Sequence, residues 1–152
     1  MAEGVRVRPL RTGEHVAARR LADRAGAVYA PEGDLVLAAE THGTLAGWAS
    51  GTVRGLYPGA PVPPPHGYVQ AVVVGPGYRR RGVGRRLVEA FLAAAARSGV
   101  GWVFAAPDEG GGVEARVAWL VECGFVAVEE PHEVRPVMGH RVTVHGSGTL
   151  GG

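Results

Sequence analysis

The stretch Val72-Val73-Val74-Gly75-Pro76-Gly77-Tyr78-Arg79-Arg80-Arg81-Gly82-Val83-Gly84-Arg85-Arg86-Leu87 decides how this chain is read. Its β-branched opening reads as a strand, and Gly75-Pro76-Gly77 as a tight turn. Beyond the arginines, Val83, Leu87, Val88 and Phe91 recur at the spacing of one helix face. The first N–H groups of such a helix have no partner within it, and the aligned peptide dipoles add partial positive charge there. Glycines at 82 and 84 let a phosphate approach the backbone, and the surrounding arginines neutralise its charge. A solvated basic turn is the plainer reading of an arginine triplet. The agreement of strand, glycine spacing and amphipathic helix favours a pyrophosphate cradle over it.

Upstream of the turn, Tyr68 to Val74 reads as a central strand buried on both faces. Gly55 to Gly67 carries Pro58, Pro61, Pro63, Pro64 and Pro65 and must be loop. Asp34 to Glu40 and Leu45 to Arg54 read as strands joined by a hairpin at Thr41-His42-Gly43-Thr44. Val5 to Pro9 alternates like a strand with one wet face. Thr12 is placed to cap a helix that turns Val16, Ala17, Leu21 and Ala25 to one side until Gly26. Downstream, the helix from Val83 stops at Ser98-Gly99, Trp102 to Ala106 is a strand, and Pro107 to Gly112 is a flexible loop. Val113, Val117, Leu120 and Val121 mark a further helix closed by Gly124. Phe125 to Val128 and Arg141 to Val144 read as a closing strand pair, and Gly146 to Gly152 as a disordered tail. Hairpins early and crossovers late imply an α+β domain around one mixed sheet.

At 152 residues the chain suits one domain, because a chain this long buries roughly 68–70% of its extended surface. Its 46% apolar and 20% charged residues are ordinary for a globular protein. The net charge of +2 does not call for a nucleic-acid partner. No membrane partner is expected either, since the apolar run Ala90 to Ala96 is far short of the ~20 residues a span needs. The start, Met1 to Arg6, lacks the apolar core of a secretory signal. Cys123 is the only cysteine, so no intramolecular disulfide can form. Together these features point to the cytoplasm. All 16 basic residues are arginine, while lysine, asparagine and isoleucine are absent. Those three share A/T-rich codons, which points to a GC-rich bacterial genome.

Arg79-Arg80-Arg81-Gly82-Val83-Gly84 resembles the signature of the GNAT superfamily of N-acetyltransferases. That signature is Arg or Gln, two residues, Gly, one residue, then Gly or Ala, between the family's fourth strand and third helix. Val74 to Tyr78 before it and Arg85 to Val88 after it are typical of the family as well. Trp119-Leu120-Val121-Glu122-Cys123-Gly124-Phe125 resembles, more weakly, the family's fourth helix with its Gly-Phe ending. The resemblance implies a GNAT-like domain over residues 1–145, with 146–152 as tail. Its sheet would be mixed and mostly antiparallel, with about six or seven strands flanked by about three or four helices. It implies acetyl-CoA as cosubstrate, no metal, and transfer to a primary amine of a small molecule or peptide by direct attack in a ternary complex. The N–H groups of Arg79, Arg80, Arg81, Gly82, Val83 and Gly84 would hold the CoA pyrophosphate, with Arg85 beside them. Backbone groups of Val72, Val73 and Val74 would pair with the pantetheine arm like an added strand, and the fourth and fifth strands would splay apart near Val74 and Ala105 to admit it. An N–H near Val73 or Val74 would stabilise the oxyanion. A homodimer follows by analogy only.

The chain departs from the family in its acid and base. Many members carry a tyrosine just before the Gly-Phe ending, to protonate the departing thiolate. Here Leu120 stands there, beside Trp119, and Val113 replaces an asparagine that opens the helix. Tyr68 occupies the position of a glutamate used by some relatives, and Phe104 that used by others. Tyr68, Gln70 and Val74 are the catalytic candidates, with His66 and Glu40 able to act through water. Cys123 reads as a small packed residue rather than a nucleophile. The remaining histidines are scattered without ligand spacing, so no metal site is expected. A non-catalytic acyl-CoA sensor is the alternative. A nucleic-acid module lacks aromatics beside its arginines, and a dinucleotide fold would place its glycine turn after the first strand.

Overall fold

The computed structural model describes residues 4–107, 112–129 and 136–143. Among the described residues seven strands form one sheet: β1 (Val5–Pro9), β2 (Leu35–Thr41), β3 (Thr44–Gly55), β4 (His66–Val74), β5 (Trp102–Ala105), β6 (Val126–Ala127) and β7 (Met138–Arg141). Their order is β1-β2-β3-β4-β5-β7-β6. β4 and β5 run parallel, pairing Gly67 with Val103 and Tyr68 with Phe104. The pairs β1–β2, β2–β3, β5–β7 and β6–β7 are antiparallel. Among the described residues three α-helices accompany the sheet: α1 (His15–Ala25), α2 (Val83–Arg97) and α3 (Val113–Glu122). This is the mixed α+β architecture that the order of hairpins and crossovers implies. Among the described residues no helix is long and apolar enough to cross a membrane.

The chain divides into two compact units, Met1–Thr52 with Gln70–Phe91 and Val53–Val69 with Leu92–Gly152. In the first unit, β2 and β3 turn through His42 and Gly43, both with positive φ (49° and 79°), as a two-residue hairpin demands. The first helix differs from its sequence reading. Thr12 opens a short 3-10 turn, Thr12–Glu14, and caps nothing. Glu14 instead accepts the Arg11 N–H at 2.8 Å and takes Arg8 through both carboxylate oxygens. That engagement delays the α-helix to His15 and rotates its inner face onto Ala18, Leu21 and Ala22, leaving Val16 62% exposed. Trp48 on β3 sets this face, because its indole N–H donates to the Ala18 carbonyl at 2.9 Å. Ala71 and Val73 of β4 join the same cluster. On the other side of β3, Gly47 has no side chain, and Val83 and Leu87 of α2 close over it.

β4 is also less symmetrical than its sequence suggests. Gly67, Val69, Ala71 and Val73 are buried, whereas Tyr68, Val72 and Val74 are half-buried and Gln70 is exposed. Its odd positions are core, and its even ones meet the open side.

The second unit is built on aromatic rings. Tyr57, Trp102, Phe104 and Val137 form a buried cluster under the proline-rich loop, and Tyr68 stacks on Phe104 at 4.8 Å between centroids. His66 is 1% exposed and pins that loop. Its Nδ1 accepts the Tyr57 N–H at 3.0 Å, and its Nε2 therefore carries the proton donated to the Val62 carbonyl at 2.8 Å. α3 buries Leu120 but leaves Val121 54% exposed, so its inner face is narrower than expected. The closing pair is Val126–Ala127 with Met138–Arg141, so the last strand starts three residues before Arg141. Gly139 hid this strand in the sequence, since it interrupts the apolar pattern. A Cβ there would fall within the Trp102 ring. Val144, the loop stretch 108–111 and the tail 146–152 lie outside the described residues.

Candidate functional site

The stretch after β4 leaves the sheet through Gly75, whose N–H donates to the Ala46 carbonyl of β3 at 2.8 Å. The fit is close: a Cβ there would lie 2.9 Å from the Leu21 side chain and 3.3 Å from both the Ala46 carbonyl oxygen and the Tyr78 ring, so any larger residue would have to push Leu21 aside. Pro76–Tyr78 makes one 3-10 turn, closed by the Tyr78 N–H on the Gly75 carbonyl at 2.8 Å. Arg79 is extended (φ −66°, ψ 148°). Arg80 and Gly82 then take left-handed conformations at φ 68° and 77°, with Arg81 between them. Left-handed backbone costs a non-glycine residue about 1–2 kcal/mol, so Arg80 holds a strained geometry of the kind that clusters at binding sites. Alternating hands of this sort turn successive N–H groups to one side as an anion-binding nest.

The nest runs directly into α2. The Arg86 N–H donates to the Gly82 carbonyl at 3.0 Å, so the N–H groups of Val83 and Gly84 precede the first bond of the helical ladder. Val83 is 1% exposed and Leu87 fully buried, which anchors this helix end against Gly47. The guanidinium groups form a loose collar rather than a network. Arg81 lies over the Tyr78 ring at 5.7 Å, Arg79 reaches the Ala25 carbonyl at 3.5 Å, and Arg85 stands 3.8 Å from Glu89. Arg79, Arg80, Arg81 and Arg85 are all exposed. A backbone cup ringed by exposed positive charge is suited to a diphosphate.

The orientation of the β4 backbone refines the other half of the cofactor prediction. A Cβ at Gly47 would lie 2.7 Å from the Val73 carbonyl oxygen, and the Gly75 N–H bonds Ala46. The Gly75 N–H is spent on β3, and the Val73 carbonyl lies beside Gly47 of the same strand. Strand alternation turns the polar groups of Val72 and Val74 the opposite way. Of the three valines, Val72 and Val74 thus face away from β3 and Val73 faces toward it.

Two polar candidates are engaged elsewhere. The Arg8 guanidinium hydrogen-bonds Glu40 and holds its carboxyl below the ordinary carboxylate range. Both ring nitrogens of His66 are spent on the backbone. Tyr68 and Gln70 keep accessible surface on β4. Leu120 is buried, and Cys123 is half-buried at the end of α3. Among the described residues no three His, Cys, Asp or Glu side chains converge as metal ligands would. The two conformational signals that sequence reading missed are the left-handed Arg80 and the polar alternation of β4. Neither is written in residue types.

Comparison with known proteins agrees with the geometry. Solved structures with the same fold include the ribosomal-protein-S18-alanine N-acetyltransferase from Escherichia coli, with a TM-score of 0.69 and 18% identity over 93% of this chain and 96% of that one. The PaiA N-acetyltransferase from Thermoplasma acidophilum, solved with coenzyme A, has a TM-score of 0.68 and 11% identity over 90% and 98%. The protein yncA of Salmonella typhimurium, solved with acetyl-CoA, has a TM-score of 0.63 and 16% identity over 93% and 94%. At these identities the likeness is one of fold. No curated protein matches the sequence. The model of the acetyltransferase (GNAT) family matches residues 7–130, a span that includes β4, the glycine-arginine turn, α2 and α3. With fold, signature and turn geometry in agreement, the chain belongs to the GNAT family of acetyltransferases.

Proposed function

We propose that this acetyltransferase moves the acetyl group of acetyl-CoA to a primary amine of a small molecule or peptide, by direct attack in a ternary complex. The observation that carries the reading is the cup formed by Arg79 to Gly84 at the start of α2, with left-handed Arg80 and Gly82. Its N–H groups take the diphosphate, and Arg79, Arg80, Arg81 and Arg85 balance the charge. Val72 and Val74 offer outward backbone groups to the pantetheine arm, and the Val74 N–H is the donor for the oxyanion. Holding amine and thioester together supplies most of the rate, since effective molarity is worth about 7–11 kcal/mol. The amine nitrogen bonds to the thioester carbon, the C–S bond breaks, and the amine's surplus proton passes to water or to the departing sulfur.

Proton transfer is the weak part of this machinery, and that bears on the acceptor. A lysine-like amine with pKa ~10.4 is neutral about one part in 10³ at pH 7, whereas an α-amine near ~8 is neutral about a tenth of the time. With Glu40 and His66 engaged, the low-pKa amine is the better fit. The Tyr68 phenol and Gln70 amide serve to position it, directly or through water. The single cysteine and arginine-only basic composition support a bacterial, cytoplasmic setting. We assign residues 1–145 to the domain, and a homodimer by family analogy.

Thermal shift with acetyl-CoA, CoA, NAD and ATP tests the cofactor. Ligand at about 100 times its dissociation constant adds about 2.7 kcal/mol to stability. The two CoA compounds should raise the melting temperature and NAD should not. Thiol release with a panel of α-amines and alkylamines then tests the chemistry. A pH–rate profile governed by an enzyme base titrating between pH 6 and 8 would contradict the acceptor argument.

A further inference from the structure

The turn after β4 leans on the end of α1, and both belong to the first unit. A Cβ at Gly75 would meet the Leu21 side chain of α1 at 2.9 Å, so the start of the turn lies against that helix. Ala25 follows Leu21 by four residues and stands on the same helix face, one turn nearer the C-terminus. There the Arg79 guanidinium donates to the Ala25 carbonyl at 3.5 Å, across 54 positions of sequence.

The last carbonyls of a helix have no partner within it and carry its partial negative charge. In α1 the chain turns back on two of them. Gly26, left-handed at φ 76°, donates its N–H to the Asp23 carbonyl at 3.1 Å, and the Ala27 N–H reaches that of Ala22 at 2.9 Å. The Ala25 carbonyl is the one that Arg79 takes. That bond is long beside the about 2.9–3.0 Å of an ordinary N–H···O bond, and Arg79 is exposed. The tie is loose in the free protein and has room to tighten.

Arg79 is also the first residue of the cup. It stands between two negative poles, the carbonyl end of α1 and the diphosphate assigned to the cup, which would otherwise repel each other. A guanidinium is a planar fork of donors, so one edge can hold a carbonyl while another holds an oxyanion.

We propose that Arg79 is a positioning residue that bridges the CoA diphosphate to the Ala25 carbonyl, so that loading the cofactor clamps the C-terminus of α1. The inference rests on the acetyl-CoA reading and adds to it a second place where occupancy is felt.

Amide hydrogen exchange of the full chain, with and without saturating CoA, tests this, because the Gly26 and Ala27 N–H groups report opening of that helix end. CoA should slow both about fivefold, the factor that one net hydrogen bond gives. The N–H groups of Val83 and Gly84 report occupancy of the cup in the same samples. In Arg79→Gln, at a CoA concentration that fully protects Val83 and Gly84, CoA should no longer slow Gly26 and Ala27. Arg85→Gln removes an equal charge from the collar and should keep the slowing. Slowing that survives Arg79→Gln, or that is lost equally in Arg85→Gln, overturns the bridge. So does a wild-type protein whose cup is protected while Gly26 and Ala27 exchange as before. If Val83 and Gly84 stay unprotected in the wild type, the acetyl-CoA reading fails first and takes this proposal with it.

Discussion

Gly47 lies against Val73: a side chain of even one carbon at position 47 would stand 2.7 Å from the Val73 carbonyl oxygen. The same carbon would meet Val83 at 3.1 Å and Leu87 at 3.3 Å. One missing methyl thus lets β3, β4 and the start of α2 converge. Gly47→Ala should cost about 1–3 kcal/mol by urea denaturation, the usual penalty for overpacking. It should also weaken acetyl-CoA binding, because the helix end that forms the cup is what must shift.

The cup can be separated from the fold at Gly84. Gly84→Glu adds an acidic residue to the first turn of α2, which helps a helix by about 0.3–1 kcal/mol, and sets a like charge against the diphosphate. The free protein should keep its melting temperature and lose the shift given by acetyl-CoA. Gly82→Val is the poorer test. At φ 77° a branched residue strains the backbone, so lost binding would be mixed with lost stability.

Polar alternation along β4 makes a sharper prediction. Val74→Pro deletes an N–H that points away from β3, and should leave a folded protein whose acetyl transfer falls about 10²–10³-fold, as loss of an oxyanion donor does. Val73→Pro deletes an N–H directed at β3 and should unfold the domain. Circular dichroism beside a thiol-release assay distinguishes the two.

Arg8 governs the acid limb of stability. Its hydrogen bonds lower the Glu14 carboxyl from 4.5 to about 2, and lower Glu40 as well. A depressed carboxylate stabilises the fold above its unfolded pKa and loses that contribution as pH falls through the folded one. Stability should therefore decline between pH 4.5 and 2, the two values for Glu14. Arg8→Gln should flatten that slope in urea melts taken across the range.

His66 is a clamp rather than a base. His66→Ala strands the Tyr57 N–H and opens a cavity in the aromatic cluster, at about 2–4 kcal/mol. If the variant is assayed well below its melting temperature, the shape of its pH–rate profile should match the wild type.

Much of this was legible in the chain itself. The β-branched run before Gly75, the glycine spacing and Val83, Leu87, Val88 and Phe91 mark strand, turn and helix with little ambiguity, because each is a local pattern. What escaped is non-local. The rotation of α1 depends on Trp48 bonding Ala18, 30 residues away. The last strand depends on Trp102 crossing Gly139. The candidate bases could be judged only once Arg8 was seen on Glu40 and the backbone on both nitrogens of His66. Residue types name the groups available; packing decides which are already spoken for.

The collar around the cup is guanidinium throughout, and the chain has no lysine anywhere. A guanidinium keeps its proton across the working range of enzymes and so offers no lone pair to a thioester. An ammonium side chain in the same place would carry a small neutral fraction, about one part in 10³ at pH 7, and that fraction is a nucleophile toward a thioester. If the arginines hold the diphosphate as proposed, acetyl-CoA incubated with the protein in the absence of acceptor should leave their side chains unmodified by mass spectrometry.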